Sequence, residues 1–135
     1  MQQGYDFQRK KTHSTADELK VILGELSILE WVDCTAVIRR DGVLMAFHMS
    51  KPIAKEARDS CAILSATILG AAKSICGKYR IGVPSRVIIQ SKSCDIILAK
   101  SGNTALLLCQ TNVRYDPAMM DEQLDRTTKR IEAVL

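Results

Sequence analysis

Few residues in this sequence have both the type and the spacing for chemistry. Lys73-Ser74 and Gly77-Lys78 have the composition of a phosphate loop. Such a loop needs glycine directly before a Lys-Ser or Lys-Thr pair, after a strand, so that backbone N–H groups cradle phosphates. Here Lys73 follows Ala72, Lys78 precedes Tyr79, and both fall in a helical pattern, which makes them helix surface. The histidines are His13, in a polar tail, and His48, at a strand end, with no His/Cys pair at zinc-ligand spacing. The cysteines are Cys34, Cys61, Cys76, Cys94 and Cys109. An odd number without CxxC fits neither a disulfide framework nor a zinc ribbon. Each lies in an apolar run, as a small hydrophobe does, whereas a catalytic thiolate needs an electropositive, partly exposed site. Structural thiols in a reducing interior are therefore expected. Asp95 stands in an apolar strand as a possible buried acid, but the outward side of a meander beside a turn is its expected place. No acid, base and nucleophile converge. The expectation is a non-enzyme with no catalytic residue, no cofactor-binding residue and no metal ligand.

The charged residues divide similarly. Arg9-Lys10-Lys11 could touch acidic lipid or nucleic acid, yet three charges without interleaved aromatics suit a solvated tail. A net charge of +4, from 19 basic and 15 acidic residues, is too mild to imply a nucleic-acid partner. Arg39 and Arg40 flank Asp41-Gly42 at a turn tip, where recognition residues often lie, and are a possible partner contact. Simple solubilisation is the competing reading for that pair.

The elements that would position these residues fit one domain of 135 residues. A hydrophobic share of 47% and a charged share of 25% exclude disordered, collagenous and low-complexity classes. Residues 1–14 read as a flexible polar tail without a signal segment, and Gly4 is misplaced for myristoylation. Residues 15–135 read as the domain. Thr15 and Glu18 form a capping-box signal for a first helix, whose stripe Leu19, Ile22, Leu23, Leu26 and Leu29 runs to about Glu30. Cys34 to Arg39 and Val43 to His48 flank Asp41-Gly42, a hairpin signal because the turn needs positive φ. A second helix spans roughly Ala54 to Tyr79. Strands follow at Ser85 to Gln90, Cys94 to Ala99 and Thr104 to Thr111. Asp116-Pro117 then opens a third helix lined by Met120, Leu124, Ile131 and Leu135. Ile96-Ile97-Leu98 and Leu106-Leu107-Leu108 are continuous rather than alternating, which implies strands covered on both faces.

The second helix is the most informative segment. At helical spacing Ala57, Cys61, Leu64, Ile68, Ala72 and Ile75 share a face suited to the core. The other side carries Ile63, Ala66, Thr67, Gly70 and Ser74, with no charge from Ser60 to Ala72. That uncharged run is shorter than the ~20 residues a membrane span needs. Ala62, Ala66, Gly70 and Ser74 recur every four residues, a small-residue ridge that lets two backbones approach. Self-association of this ridge is the expectation, and burial under another part of the same chain is the alternative.

Val37-Ile38-Arg39-Arg40-Asp41-Gly42-Val43-Leu44, the small-rich second helix, and Ser101-Gly102-Asn103-Thr104-Ala105-Leu106-Leu107-Leu108 together resemble the Roadblock family, also called the dynein light chain Roadblock family, from about Thr15 to Leu135. Asp33-Cys34 departs from the glycine that relatives often carry before the first strand. The resemblance implies an α/β (α+β) three-layer sandwich. A five-stranded antiparallel sheet would carry the first and third helices on one face and the second on the other. It also implies dimers that pair second helices and join the edge strand Ser85 to Gln90. The implied interface is Ala62, Ile63, Ala66, Thr67, Gly70, Ser74, Val87 and Ile89. The implied function is a non-enzymatic, cytoplasmic homodimer that binds and regulates or localises a small Ras-like GTPase, without direct membrane insertion. A structural adaptor of a larger motor- or membrane-associated assembly is one alternative. A small-ligand sensor is another, which the filled sheet faces disfavour.

Overall fold

Successive side chains on a strand point to opposite faces, and in this chain both faces are apolar. The computed structural model describes residues 15–112 and 114–135. The expected tail, with His13 and Arg9-Lys10-Lys11, lies outside the described residues. Helix α1 covers residues 15–26. It is followed by β1 (Val32–Arg39), β2 (Leu44–Met49), α2 (Lys55–Tyr79), β3 (Arg86–Gln90), β4 (Cys94–Ser101), β5 (Ala105–Asn112) and α3 (Pro117–Val134). The strands form one antiparallel sheet in the order β2-β1-β5-β4-β3, which leaves β2 and β3 as edges.

The two faces bury separate cores. Val37, Ile97, Ala99, Ala105, Leu107 and Cys109 pack under Leu19, Ile22, Leu23 and Leu26 of α1 and Met120, Leu124 and Ile131 of α3. Their neighbours Ala36, Ile38, Leu98 and Leu106 turn the other way, under Ala62 and Leu69 of α2. The continuous Ile-Leu runs are thus covered twice, and the expected three-layer sandwich is observed. Helix α1 stops at Leu26, short of the expected end near Glu30, and the chain tightens through i→i+3 bonds at Ile28 and Leu29. Leu29 still packs against the α1 core.

Local chemistry sets the other boundaries. Asp116 caps α3 by accepting from the Ala118 N–H at 3.0 Å, with Pro117 in the first turn. Helix α2 ends where Arg80 turns left-handed at φ 55°, its N–H and that of Ile81 closing onto Gly77 and Cys76 carbonyls. The β1–β2 hairpin forms where expected, but only Gly42 has positive φ, at 94°. Gly42 N–H donates to Arg39 C=O and Arg39 N–H to Val43 C=O, each at 2.8 Å. That is a three-residue loop with a left-handed glycine, not a two-residue turn needing positive φ twice. A Cβ on Gly42 would sit 3.1 Å from Ile63 Cα, so the bare glycine also lets the turn abut α2.

The face of α2 expected in the core is the wrong one. Leu64 is 59% exposed, Ile75 56% and Ile68 36%. Ala57 and Cys61 are exposed too, and only Ala72 is partly covered. The side buried on the sheet is Ala62, Ser65 and Leu69, flanked by Ala66. The reason is steric: the strands beneath already present Ile38, Leu98 and Leu106, so the helix closes on them with small side chains at Ala62, Ser65 and Ala66 and one large one, Leu69.

Candidate interaction surface

Residues singled out for chemistry are dispersed. Lys73, Ser74 and Lys78 lie within α2, on helix surface as expected. Among the described residues no group of three His, Cys, Asp or Glu side chains is close enough to hold a metal. Cys34 and Cys109 are buried, and desolvation pushes their thiols up, to about 11 and about 12. Both are structural. The expectation of buried thiols fails for Cys61, which is exposed on α2. Asp95 is half-buried and accepts a 2.6 Å hydrogen bond from the Tyr115 hydroxyl, which raises the Tyr115 pKa. Tyr115 lies against Trp31 with ring centroids 6.2 Å apart. Asp95 therefore fastens the β5–α3 connection.

Arg39 and Arg40 do not form a joint patch. Arg39 donates from Nε and Nη2 to the two oxygens of Asp41, at 2.9 and 2.7 Å. This holds the Asp41 carboxyl below its ordinary pKa and the guanidinium above its own. Arg40, one step further along, lines a hollow beside α2 with Leu69 and Lys73. The alternation of side chains past the end of β1 separates the pair.

The expected interface residues also divide. Ala62 is 1% exposed and lies on the chain's own sheet, and Ala66 packs partly on the same cluster. Those two residues face inward, so the ridge does not stand open to a partner along its length. Ile63 is 57% exposed, although its backbone borders the hairpin turn. Thr67 and Ser74 are exposed, and the Thr67 hydroxyl donates back to Ile63 C=O at 2.9 Å. Gly70 is half-buried, yet a Cβ there would meet nothing within 4 Å. On β3, Val87 packs against the α2-side core, while Ile89 on that same face is 37% exposed.

What remains outward is a stripe of large apolar side chains, Leu64, Ile68 and Ile75, between charged ends of α2 and on the same side of the sheet as Ile89 of the free β3 edge. Sequence periodicity displayed this stripe but assigned it to the core. The signal that separates the alternatives is side-chain size, since the small face goes to the crowded sheet. Helix α2 is long and apolar enough to cross a membrane by length and composition. In this fold its small face is already docked on Leu98 and Leu106. Edge β3 is anchored on its other face by Arg86, which pairs with Asp121 and, at 2.7 Å, with Asp125 of α3.

The arrangement recurs in known proteins. A Roadblock/LC7 domain from Streptomyces avermitilis superposes with a TM-score of 0.77 at 14% identity, over 84% of this chain and 94% of that one. MglB in a tetrameric arrangement gives 0.79 at 15% identity, covering 89% of each chain. The gliding protein MglB from Thermus thermophilus gives 0.75 at 17% identity, over 90% of this chain and 88% of that one. At such identities these likenesses establish the fold alone. No curated protein sequence matches the chain. The family model described as Roadblock/LC7 domain matches residues 18–111, which covers α1 from its first turn, all five strands but the last residue of β5, and α2. The chain belongs to the Roadblock/LC7 domain family.

Proposed function

We propose that this protein is a non-enzymatic homodimeric scaffold that binds a small Ras-like GTPase in the cytoplasm and modulates its activity or location. The observation that carries the dimer is the outward stripe of α2, with Leu64 and Ile75 each more than half exposed, beside an unpaired strand edge. Large contiguous apolar surface of this kind marks an interaction site. The interface in this reading centres on Leu64, Ile68 and Ile75 with Ile63, Thr67, Ser74 and Ile89, whereas Ala62 and Ala66 act from beneath by seating the helix. Self-association of the fold neighbour MglB, solved in a tetrameric arrangement, supports the same reading.

The GTPase partner is supported by membership of the Roadblock/LC7 family and by likeness to MglB. A non-enzymatic regulator acts by presenting surface, which suits a chain that exposes an apolar helix face beside a free strand edge. The test is capture of a cognate small GTPase, loaded with GTP or GDP, by the purified protein, together with the rate of GTP hydrolysis. Binding of either loaded state is the expected result. If neither state binds and hydrolysis is unchanged, the GTPase reading fails while the dimer reading stands or falls separately on sedimentation.

A further inference from the structure

From Ser60 to Cys94 the chain contains no acidic residue, but five basic ones: Lys73, Lys78, Arg80, Arg86 and Lys92. Arg86 is neutralised by α3. Lys73 instead converges with Arg40 from the end of β1 and Lys100 from β4 around a hollow of about 120 Å³. Asn103 adds an amide at the rim, Leu69 forms part of its lining, and no acidic side chain lines it. Among the described residues, none of the three cations takes part in an ion pair. The nearby Asp41 is occupied by Arg39.

Three uncompensated cations suit a phosphoryl group, which carries close to two negative charges at neutral pH. Arginine adds a planar fork that matches its oxygens. The hollow is well below the roughly 300–1,000 Å³ of pockets that enclose a whole small-molecule ligand. A single phosphoryl group fits, and a nucleotide does not. The wall of the hollow is Val83-Pro84, in the α2–β3 connection. That connection exposes Ile81 by 72% and Val83 by 59%, beside Lys78 and Arg80. Exposed branched aliphatics next to a cationic hollow are of no use to a soluble phosphate, but they match an anionic membrane surface, where charge and shallow apolar insertion act together.

We propose that this corner docks on an anionic lipid surface, with Arg40, Lys73 and Lys100 taking a phosphoryl headgroup while Ile81 and Val83 enter the interfacial layer. The docking is peripheral and does not depend on the GTPase or dimer readings. Co-sedimentation with vesicles of phosphatidylcholine alone, or mixed with phosphatidic acid, whose headgroup is a phosphate monoester, tests it. Binding is expected only to the mixed vesicles, and it weakens as salt shortens the screening length. Lys73→Gln and Lys100→Gln are each expected to weaken it about fivefold, while Lys92→Gln, at the far end of β3, leaves it within about twofold. Ile81→Ser is expected to weaken vesicle binding but leave binding of inorganic phosphate unchanged. No preference for the mixed vesicles overturns the proposal, as does an equal loss in Lys92→Gln or full vesicle binding by Ile81→Ser. Saturable binding of inorganic phosphate or a phosphoserine peptide without vesicle binding also overturns it, and assigns the hollow to a soluble phosphoryl partner. Unchanged circular dichroism and sedimentation of each variant establish that the fold and assembly state are intact.

Discussion

Leu64→Ser combined with Ile75→Ser separates the two sides of α2. Complete burial of a leucine or isoleucine is worth about 1.5–3 kcal/mol. The two side chains are 59% and 56% exposed, so about half of that, roughly 1 kcal/mol each, is available to a partner. A two-fold dimer contains every interface residue twice. The double variant therefore removes four side chains, about 4 kcal/mol, which is close to a thousandfold in dissociation constant. The chain's own stability should fall by about 1–2 kcal/mol, because the covered two-fifths of each side chain is lost as well. Ala62→Leu should do the reverse. Ala62 is 1% exposed against Leu98 and Leu106, so extra methylenes overpack the helix–sheet contact at about 1–3 kcal/mol of folding stability. Sedimentation equilibrium over a range of concentrations, paired with urea unfolding, reads both quantities. A wild-type chain that sediments as a monomer throughout refutes the reasoning. So does a double variant that dimerises as well as wild type while Ala62→Leu stays folded and dissociates.

Four further outcomes follow from particular contacts. Gly42→Ala should cost about 2–4 kcal/mol by urea unfolding, because φ is 94° and the new Cβ would lie 3.1 Å from Ile63 Cα; a loss below about 0.5 kcal/mol would contradict this packing. Gly70→Ala, with nothing within 4 Å of the added methyl, should stabilise the isolated chain by about 0.5–1 kcal/mol through helix propensity, while destabilisation of the monomer would place another segment against it. In a thiol-reagent assay Cys61 should react promptly, whereas Cys34 and Cys109 wait for unfolding. The same buried thiols set an alkaline dependence. Their folded pKa values, about 11 and about 12, lie above the ordinary 9.0, so the unfolded chain loses protons first. Their stabilisation is complete below pH 9 and drains away as pH rises through about 12. Urea midpoints between about pH 8 and 11 should therefore fall, and fall less steeply in Cys109→Ala.

Element order was legible where a boundary has a local cause. Asp116-Pro117 caps α3 from side-chain chemistry available in any context, and Gly42 supplies the positive φ that the hairpin needs. The stripes of α1 and α3 were legible for another reason. Each pairs one apolar face with a charged one, so only one orientation buries the right atoms. Helix α2 lacks that contrast. Its large face and its small face are both uncharged along the middle, and periodicity alone cannot say which one a sheet will accept. Size matching against Ile38, Leu98 and Leu106 makes that choice, and those residues lie in strands far along the chain. The different surroundings of the two arginines at the hairpin depend on distant contacts in the same way: Asp41 takes one, and the hollow beside α2 takes the other.

The order of three helices and five strands, and the likeness to a recognisable family, were legible in the sequence alone. These follow from near-neighbour patterns, which carry their own energetics wherever the segment sits. Tertiary structure alone decided which face of α2 is left open, which cations converge on the Arg40–Lys73–Lys100 hollow, and which thiols are sealed. Those outcomes depend on surfaces meeting from distant parts of the chain. Close packing discriminates by volume and by the availability of counter-charge, and neither is written in the spacing of one segment.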